Sequence, residues 1–150
     1  MNRRLTVAVT ALAVAGLAGL PAHAATKPKA FSGSYSVSLL PDPTTNVTNT
    51  AGKLGCTGLL AQGKDLHPLT VPGAGKLTVD LVSPDPTNKG VTDWDLHVVD
   101  AASGEIVEES VSATSTEEIQ HKFTKSQKLV IQVCNLAGGP TGTVTYKFKP

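Results

Sequence analysis

The chain has 150 residues, a formal charge of +1, 40% hydrophobic content, six aromatic side chains and two cysteines. That length holds one domain comfortably. With lysines scattered and no basic block, the composition disfavours a protein built to bind nucleic acid.

The first residues read as an export signal. Arg3 and Arg4 open it, residues 5–20 are apolar and small, and Pro21-Ala22-His23-Ala24 ends in a small-x-small cleavage pattern. The apolar run is short for a membrane span and a proline closes it. Residues 1–24 are therefore expected to be a signal peptide, and residues 25–150 a single secreted domain with no membrane attachment after cleavage. Removing Arg3 and Arg4 takes the formal charge from +1 to −1 and leaves no arginine. Arginine is the usual reader of phosphates and guanine edges, so its absence weighs further against nucleic acid.

Cys56 and Cys134 are an even pair in an exported chain, which predicts a disulfide. Closing a loop of roughly 79 residues stabilises by about 4 kcal/mol in the chain-entropy model.

Residues 25–30 form a polar, flexible leader. Residues 31–39 alternate, with Phe31, Gly33, Tyr35, Val37 and Leu39 opposed by Ser32, Ser34, Ser36 and Ser38, the period of a half-buried strand. Pro41-Asp42-Pro43-Thr44 breaks it, and residues 44–55 read as a loop in which Asn46-Val47-Thr48 matches a glycosylation sequon. Residues 66–71 predict a strand at a sheet edge, because Pro68 cannot donate to a ladder. A tight turn at Pro72-Gly73-Ala74-Gly75 leads to a strand over 76–82 with Leu77, Val79 and Leu81 inward. Pro84-Asp85-Pro86-Thr87-Asn88 then breaks the pattern.

The central stretch runs from Thr92 to Glu105. Trp94, Leu96 and Val98 alternate with Asp93, Asp95 and His97, placing the only tryptophan in a core and the polar set outside. Asp100 to Gly104 suits a short hairpin loop with glycine at the positive-φ position. Beyond it, residues 106–111 form a weaker strand. Ile119, His121 and Phe123 favour a strand over 116–123, residues 129–133 are strongly β-prone, 135–142 read as a glycine-proline loop, and 143–148 close the chain. About eight short strands without a long helical pattern predict an all-β, two-sheet antiparallel sandwich, jelly-roll-like, pinned by one disulfide.

The densest carboxylate cluster supplies the metal candidates. Asp93, Asp95 and Asp100, with loop carbonyls, are the oxygen donors a calcium ion would take, although strand spacing holds them apart. No other cofactor is implied. For hydrolysis the chain lacks a glycine-x-serine-x-glycine elbow, and His67, His97 and His121 fall in separate strands. Glu108 and Glu109 are adjacent, so on a strand they point to opposite faces, which suits no glycosidase pair. Trp94, Phe31, Tyr35, Tyr146 and Phe148 all fall on inward stripes, leaving no flat sugar-stacking platform.

Three segments resemble the bacterial pre-peptidase C-terminal domain family, small secreted β-sandwiches often joined to extracellular hydrolases. Asp93-Trp94-Asp95-Leu96-His97-Val98-Val99-Asp100 with Gly104 is similar to its aspartate-x-aspartate-leucine strand and hairpin. Val71 to Val79 resembles the turn and strand before that motif. Val130-Ile131-Gln132-Val133-Cys134-Asn135 and Tyr146-Lys147-Phe148 resemble the strands after it. The likeness spans roughly residues 64–150; Gln127-Lys128-Leu129 departs from the family's usual glycine-tyrosine step, and no attached catalytic domain is expected. The resemblance implies a non-catalytic accessory or binding module, in a fold where some relatives bind collagen or other insoluble polymers and some bind calcium. The expectation is a secreted, monomeric, non-enzymatic module that binds an extracellular protein or polysaccharide through the loops at 100–104 and 135–142. The alternative is a secreted enzyme inhibitor or protein-interaction factor.

Overall fold

A computed structural model describes residues 27–41, 56, 61–84 and 92–150. The expected signal peptide, the sequon and most of both proline-rich breaks lie outside these residues. Eight strands follow in order: β1 (Phe31–Ser38), β2 (Lys64–Val71), β3 (Gly75–Val82), β4 (Asp93–Asp100), β5 (Ile106–Ser110), β6 (Thr116–Phe123), β7 (Gln127–Ala137) and β8 (Thr141–Lys149). A 3-10 turn, Ala61–Gly63, precedes β2. Among the described residues no helix is long and apolar enough to cross a membrane.

The strands form two four-stranded antiparallel sheets, ordered β1-β8-β3-β6 and β2-β7-β4-β5. Six of the seven connections pass from one sheet to the other, the β4–β5 hairpin alone staying within its sheet, which is jelly-roll connectivity. The alternation legible in the sequence places one face of each strand inward. Leu77, Val79 and Leu81 of β3 meet Trp94, Leu96 and Val98 of β4 in one continuous core that also holds Ile119, Ile131, Val133, Val144 and Phe148. β2 is an edge strand, as Pro68 requires.

Trp94 sits at the centre with no exposed surface. Gly142 of β8 faces it from the other sheet. A Cβ there would stand 3.2 Å from Trp94 Cζ3, 3.2 Å from Val37 Cγ2 and 3.3 Å from Leu81 Cδ1. The missing side chain at 142 is what leaves room for the indole.

Two boundaries differ from expectation. The stretch 135–142 is not a loop: β7 continues to Ala137 and β8 starts at Thr141, leaving only three connecting residues. Asn135 causes this, because its buried amide donates to the carbonyl oxygens of Leu39 at 2.8 Å and Gly139 at 3.1 Å, tying the strand end to two neighbouring segments. His121, on the same stripe as Ile119 and Phe123, is half-buried at the edge of its sheet.

Cys56 and Cys134 are disulfide-bonded with Cα atoms 5.5 Å apart across 78 residues of sequence. Replacing both by serine is expected to lower unfolding free energy by about 3–5 kcal/mol in urea titration. Gly142→Val is expected to cost about 1–3 kcal/mol through overpacking. In a Trp94→Leu background the same substitution should cost less, and equal costs in the two backgrounds would show that the indole is not what glycine accommodates.

Candidate functional site

Strand β4 presents Asp93, Asp95, His97 and Val99 on the outer face of its sheet, the reverse of the face carrying Trp94. Sequence pattern predicts these polar groups in solvent, but the structure covers one of them. His97 is only 3% exposed, because the Cys56–Cys134 disulfide lies against it, a ring nitrogen and both sulfurs falling within 4.8 Å of one another. Its Nδ1 is 3.4 Å from Glu109 Oε2 on β5, an ion-pair contact whose geometry falls short of a hydrogen bond. Burial drives the imidazole toward its neutral form, and the nearby Glu109 only partly opposes that. The two sulfurs are spent on their covalent bond, so this trio is packing and not a metal centre.

Asp93 and Asp95 are half-buried neighbours on that face. Burial pushes the Asp95 carboxyl up to about 7, and the charges of Asp93, Glu117 and Glu109 push in the same direction. Asp93 is raised by burial first and then by Glu117. Asp100 stands at the far end of the strand, five residues and about 17 Å from Asp95. It accepts from the backbone N–H of Ser103 and of Ala102, each at 2.8 Å, and from Gln127 Nε2 at 2.6 Å. The N–H of Ser103 first, then Gln127 and Ala102, hold its carboxyl down at about 2. The three carboxylates proposed for calcium are thus not brought together. Asp100 is instead the cap of the β4–β5 hairpin, where Gly104 takes the expected positive φ of 73°. As a set these donors do not fit an ion that needs six to eight oxygens, and no role is derived for one.

The residue sequence reasoning missed is Glu117. It is 3% exposed, points between the sheets and accepts from four groups: the Ser110 hydroxyl, the Ser112 hydroxyl at 2.5 Å, the Ser112 N–H at 3.3 Å and the Thr114 hydroxyl at 3.1 Å. With that many donors the buried carboxylate fixes the 111–115 connection. The signal for it was the run of hydroxyl residues from Ser110 to Thr116 just before an acidic pair.

The adjacent Glu108 and Glu109 do point to opposite faces, and each meets a different histidine. Glu109 meets His97 outside, while Glu108 Oε2 is 3.0 Å from His121 Nδ1 at the open edge between the sheets. His67 stacks on Tyr35 with ring centroids 4.2 Å apart, closing the opposite edge where β1 approaches β2. Burial, followed by the charge of Asp65, raises the Tyr35 hydroxyl well above the ordinary phenol range. Each of these three histidines is engaged by an element of the sandwich itself.

The lysines, scattered in sequence, are gathered by topology. The start of β3, the ends of β6 and β8, and the start of β7 all lie at one end of the sandwich. Lys76, Lys122, Lys147 and Lys149 occupy the outer face of the β1-β8-β3-β6 sheet there, and Lys125 and Lys128 flank the β6–β7 turn. Lys27 and Lys29 precede β1, with Pro28 packed against Gly73 of the β2–β3 turn. Eight of the eleven lysines after Ala24 share this end with two acids, Asp100 and Glu105. The other end and its flanks carry Asp65, Asp80, Asp93, Asp95, Glu117 and Glu118, with Asp80 on the same outer sheet face as the lysines.

Asp95 generates a pH prediction. Its folded pKa lies above its unfolded one, so the folded state holds more protons between about pH 4 and 7, and stability falls as pH rises through that window. Asp95→Asn removes the effect. The variant is expected to exceed the parent by on the order of 1–2 kcal/mol at pH 8, discounted for the group's partial exposure, and to match it near pH 4. Urea unfolding at the two pH values reads this, and a difference independent of pH would refute it.

No family model matches the chain, and no curated protein does. Among solved structures it is similar to the pre-peptidase C-terminal domain of collagenase from Bacillus anthracis, with 15% identity over 81% of this chain and 89% of that one and a TM-score of 0.40. It is also similar to the Yersinia pseudotuberculosis-derived mitogen, with 11% identity, 82% and 86% coverage and a TM-score of 0.38. The likeness to a pre-peptidase C-terminal domain is one of fold.

Proposed function

We propose that the protein is exported and acts outside the cell as a non-catalytic binding or accessory module for an extracellular polymer or protein. One observation carries the reading: three short, exposed connections meet at a single end of a rigid sandwich. They are the β2–β3 turn at 72–74, the β4–β5 hairpin at 101–105 and the β6–β7 turn at 124–126, and each is pinned at its base. Ser126 donates to the Val71 carbonyl at 2.9 Å, the Ala101 N–H to the Lys128 carbonyl at 3.0 Å, and Gln127 to Asp100. Loops held in register by a scaffold are the usual seat of recognition.

The remaining polar groups support the same reading. Glu117, Asp100 and the described histidines are engaged in capping strands, closing edges or packing against the disulfide. The disulfide itself belongs to an oxidising compartment, which agrees with export. The expected module has no membrane attachment once its signal is removed, and works as a monomer.

The test is capture with the purified chain immobilised through a site remote from 72–74, 101–105 and 124–126. Retention of a polymer or cell-wall fraction from the native surroundings is the expected result. Retention of a soluble enzyme whose activity is blocked would favour the inhibitor alternative. Turnover of an ester, peptide or glycoside substrate that disappears on replacing His67, His97 or His121 would overturn the module reading.

A further inference from the structure

The lysine-bearing end has a geometry that the loops alone do not explain. On the outer face of its sheet, Lys149, Lys76 and Lys122 are directly opposite one another across β8, β3 and β6, one per strand. Strand spacing sets their backbones about 4.8 Å apart. Lys147 lies one pleat along from Lys149, opposite Thr78. Like charges placed directly across a sheet destabilise it, and among the described residues none of these four lysines has an acidic partner. Lys76 donates to the Gln120 amide oxygen, and the Gln120 amide nitrogen donates in turn to Glu118. A shallow depression of about 310 Å³ between Lys76, Lys122 and Lys149 runs into a second of about 170 Å³ lined by Lys76, Thr78, Lys147 and Lys149, with Asp80 as its one acid. The two share Lys76 and Lys149, so they form one track along the lysines.

Resting on the binding-module reading, we infer that this track is the docking surface for a linear polyol phosphate carrying one phosphodiester per repeat. A single file of ammonium groups at fixed pitch matches anions spaced regularly within a flexible backbone. Each tetrahedral oxyanion offers acceptors to the three donors of an ammonium, and lysine serves phosphate as a point charge. Nucleic acid fits less well. Arginine is absent after Ala24, and the aromatic rings of this sheet turn inward, so nothing offers bases a stacking surface. A lipid surface fits less well too, because the exposed apolar side chains Leu40, Val82 and Val111 stand at the opposite end and Leu66 on the other sheet.

The experiment measures binding of the purified chain to poly(glycerol phosphate), with dextran, heparin and a poly-dT oligonucleotide as competitors, across a salt series. Poly(glycerol phosphate) should bind tightest, and its log affinity should fall linearly with log salt, by roughly 0.7 per phosphate contacted if it behaves as a flexible single strand does. Replacing Lys76, Lys122 and Lys149 together by glutamine should weaken binding at least tenfold, whereas Lys64→Gln, at the other end, should leave it unchanged. Thermal unfolding checks that the triple variant folds. Lys149→Glu, a single exposed charge reversal, gives a second reading of the same track and should weaken binding by several-fold. Tighter binding to heparin or poly-dT, or affinity that survives these substitutions, would overturn the inference. Retention on dextran or on a protein with no response to the lysines would overturn it while leaving the module reading intact; a substrate turned over would remove both.

Discussion

The packing of Trp94 against a residue with no side chain is the constraint on which the rest of this structure depends. The indole comes from the strand at the middle of the chain, and Gly142 faces it from the strand that closes the fold. Burying an aromatic ring of that size removes about 150–250 Å² from water, worth roughly 4–6 kcal/mol at 25 cal/mol per Å². Against this stands the Trp94 Nε1, which is buried without a partner among the described residues and costs about 1–3 kcal/mol. Burial wins, and it brings the two sheets into one register, since only one approach of β8 to β4 lets glycine meet the ring.

Around that contact the polar groups are treated in two opposite ways. Inside, hydroxyl and amide donors surround the Glu117 carboxylate, which organises the β5–β6 connection. Outside, on the reverse of β4, the fold discharges its own surface: burial under the disulfide favours neutral imidazole at His97, while burial and neighbouring anions favour the protonated acid at Asp95. A face that the residue types describe as ionic therefore carries less charge near neutral pH than its composition implies. The fixed charge of the molecule sits elsewhere, with lysines at one end and carboxylates toward the other.

The strands were legible because their alternation is strict and their breaks are chemical. Leu77, Val79 and Leu81 could only face one way, Pro68 forced β2 to an edge, and Asp100 with Gly104 wrote the hairpin directly. The disulfide followed from compartment and parity. What the sequence could not show was anything that depends on which strands become neighbours. His97 looked exposed because nothing local announces that Cys56 will be drawn across the outer face of the sheet. Asn135 looked like a loop residue, since its composition says turn while its amide bonds hold strand. The lysine track was invisible for the same reason: Lys76 and Lys149 are far apart in the chain, and only the β3–β8 pairing sets them side by side. The carboxylate trio failed in the opposite sense, because proximity in sequence along a strand is separation in space.

The covalent link between residues 56 and 134 brackets five strands and the turns between them. A protease that severs the backbone once anywhere inside that bracket does not release a fragment, because the two pieces stay joined through sulfur. Each piece also remains held by ladders that the cut does not touch. In surroundings rich in hydrolases, nicked molecules would persist as single particles and come apart only where a reductant reaches the bond, so survival in such a setting is decided by redox conditions as much as by resistance to cleavage.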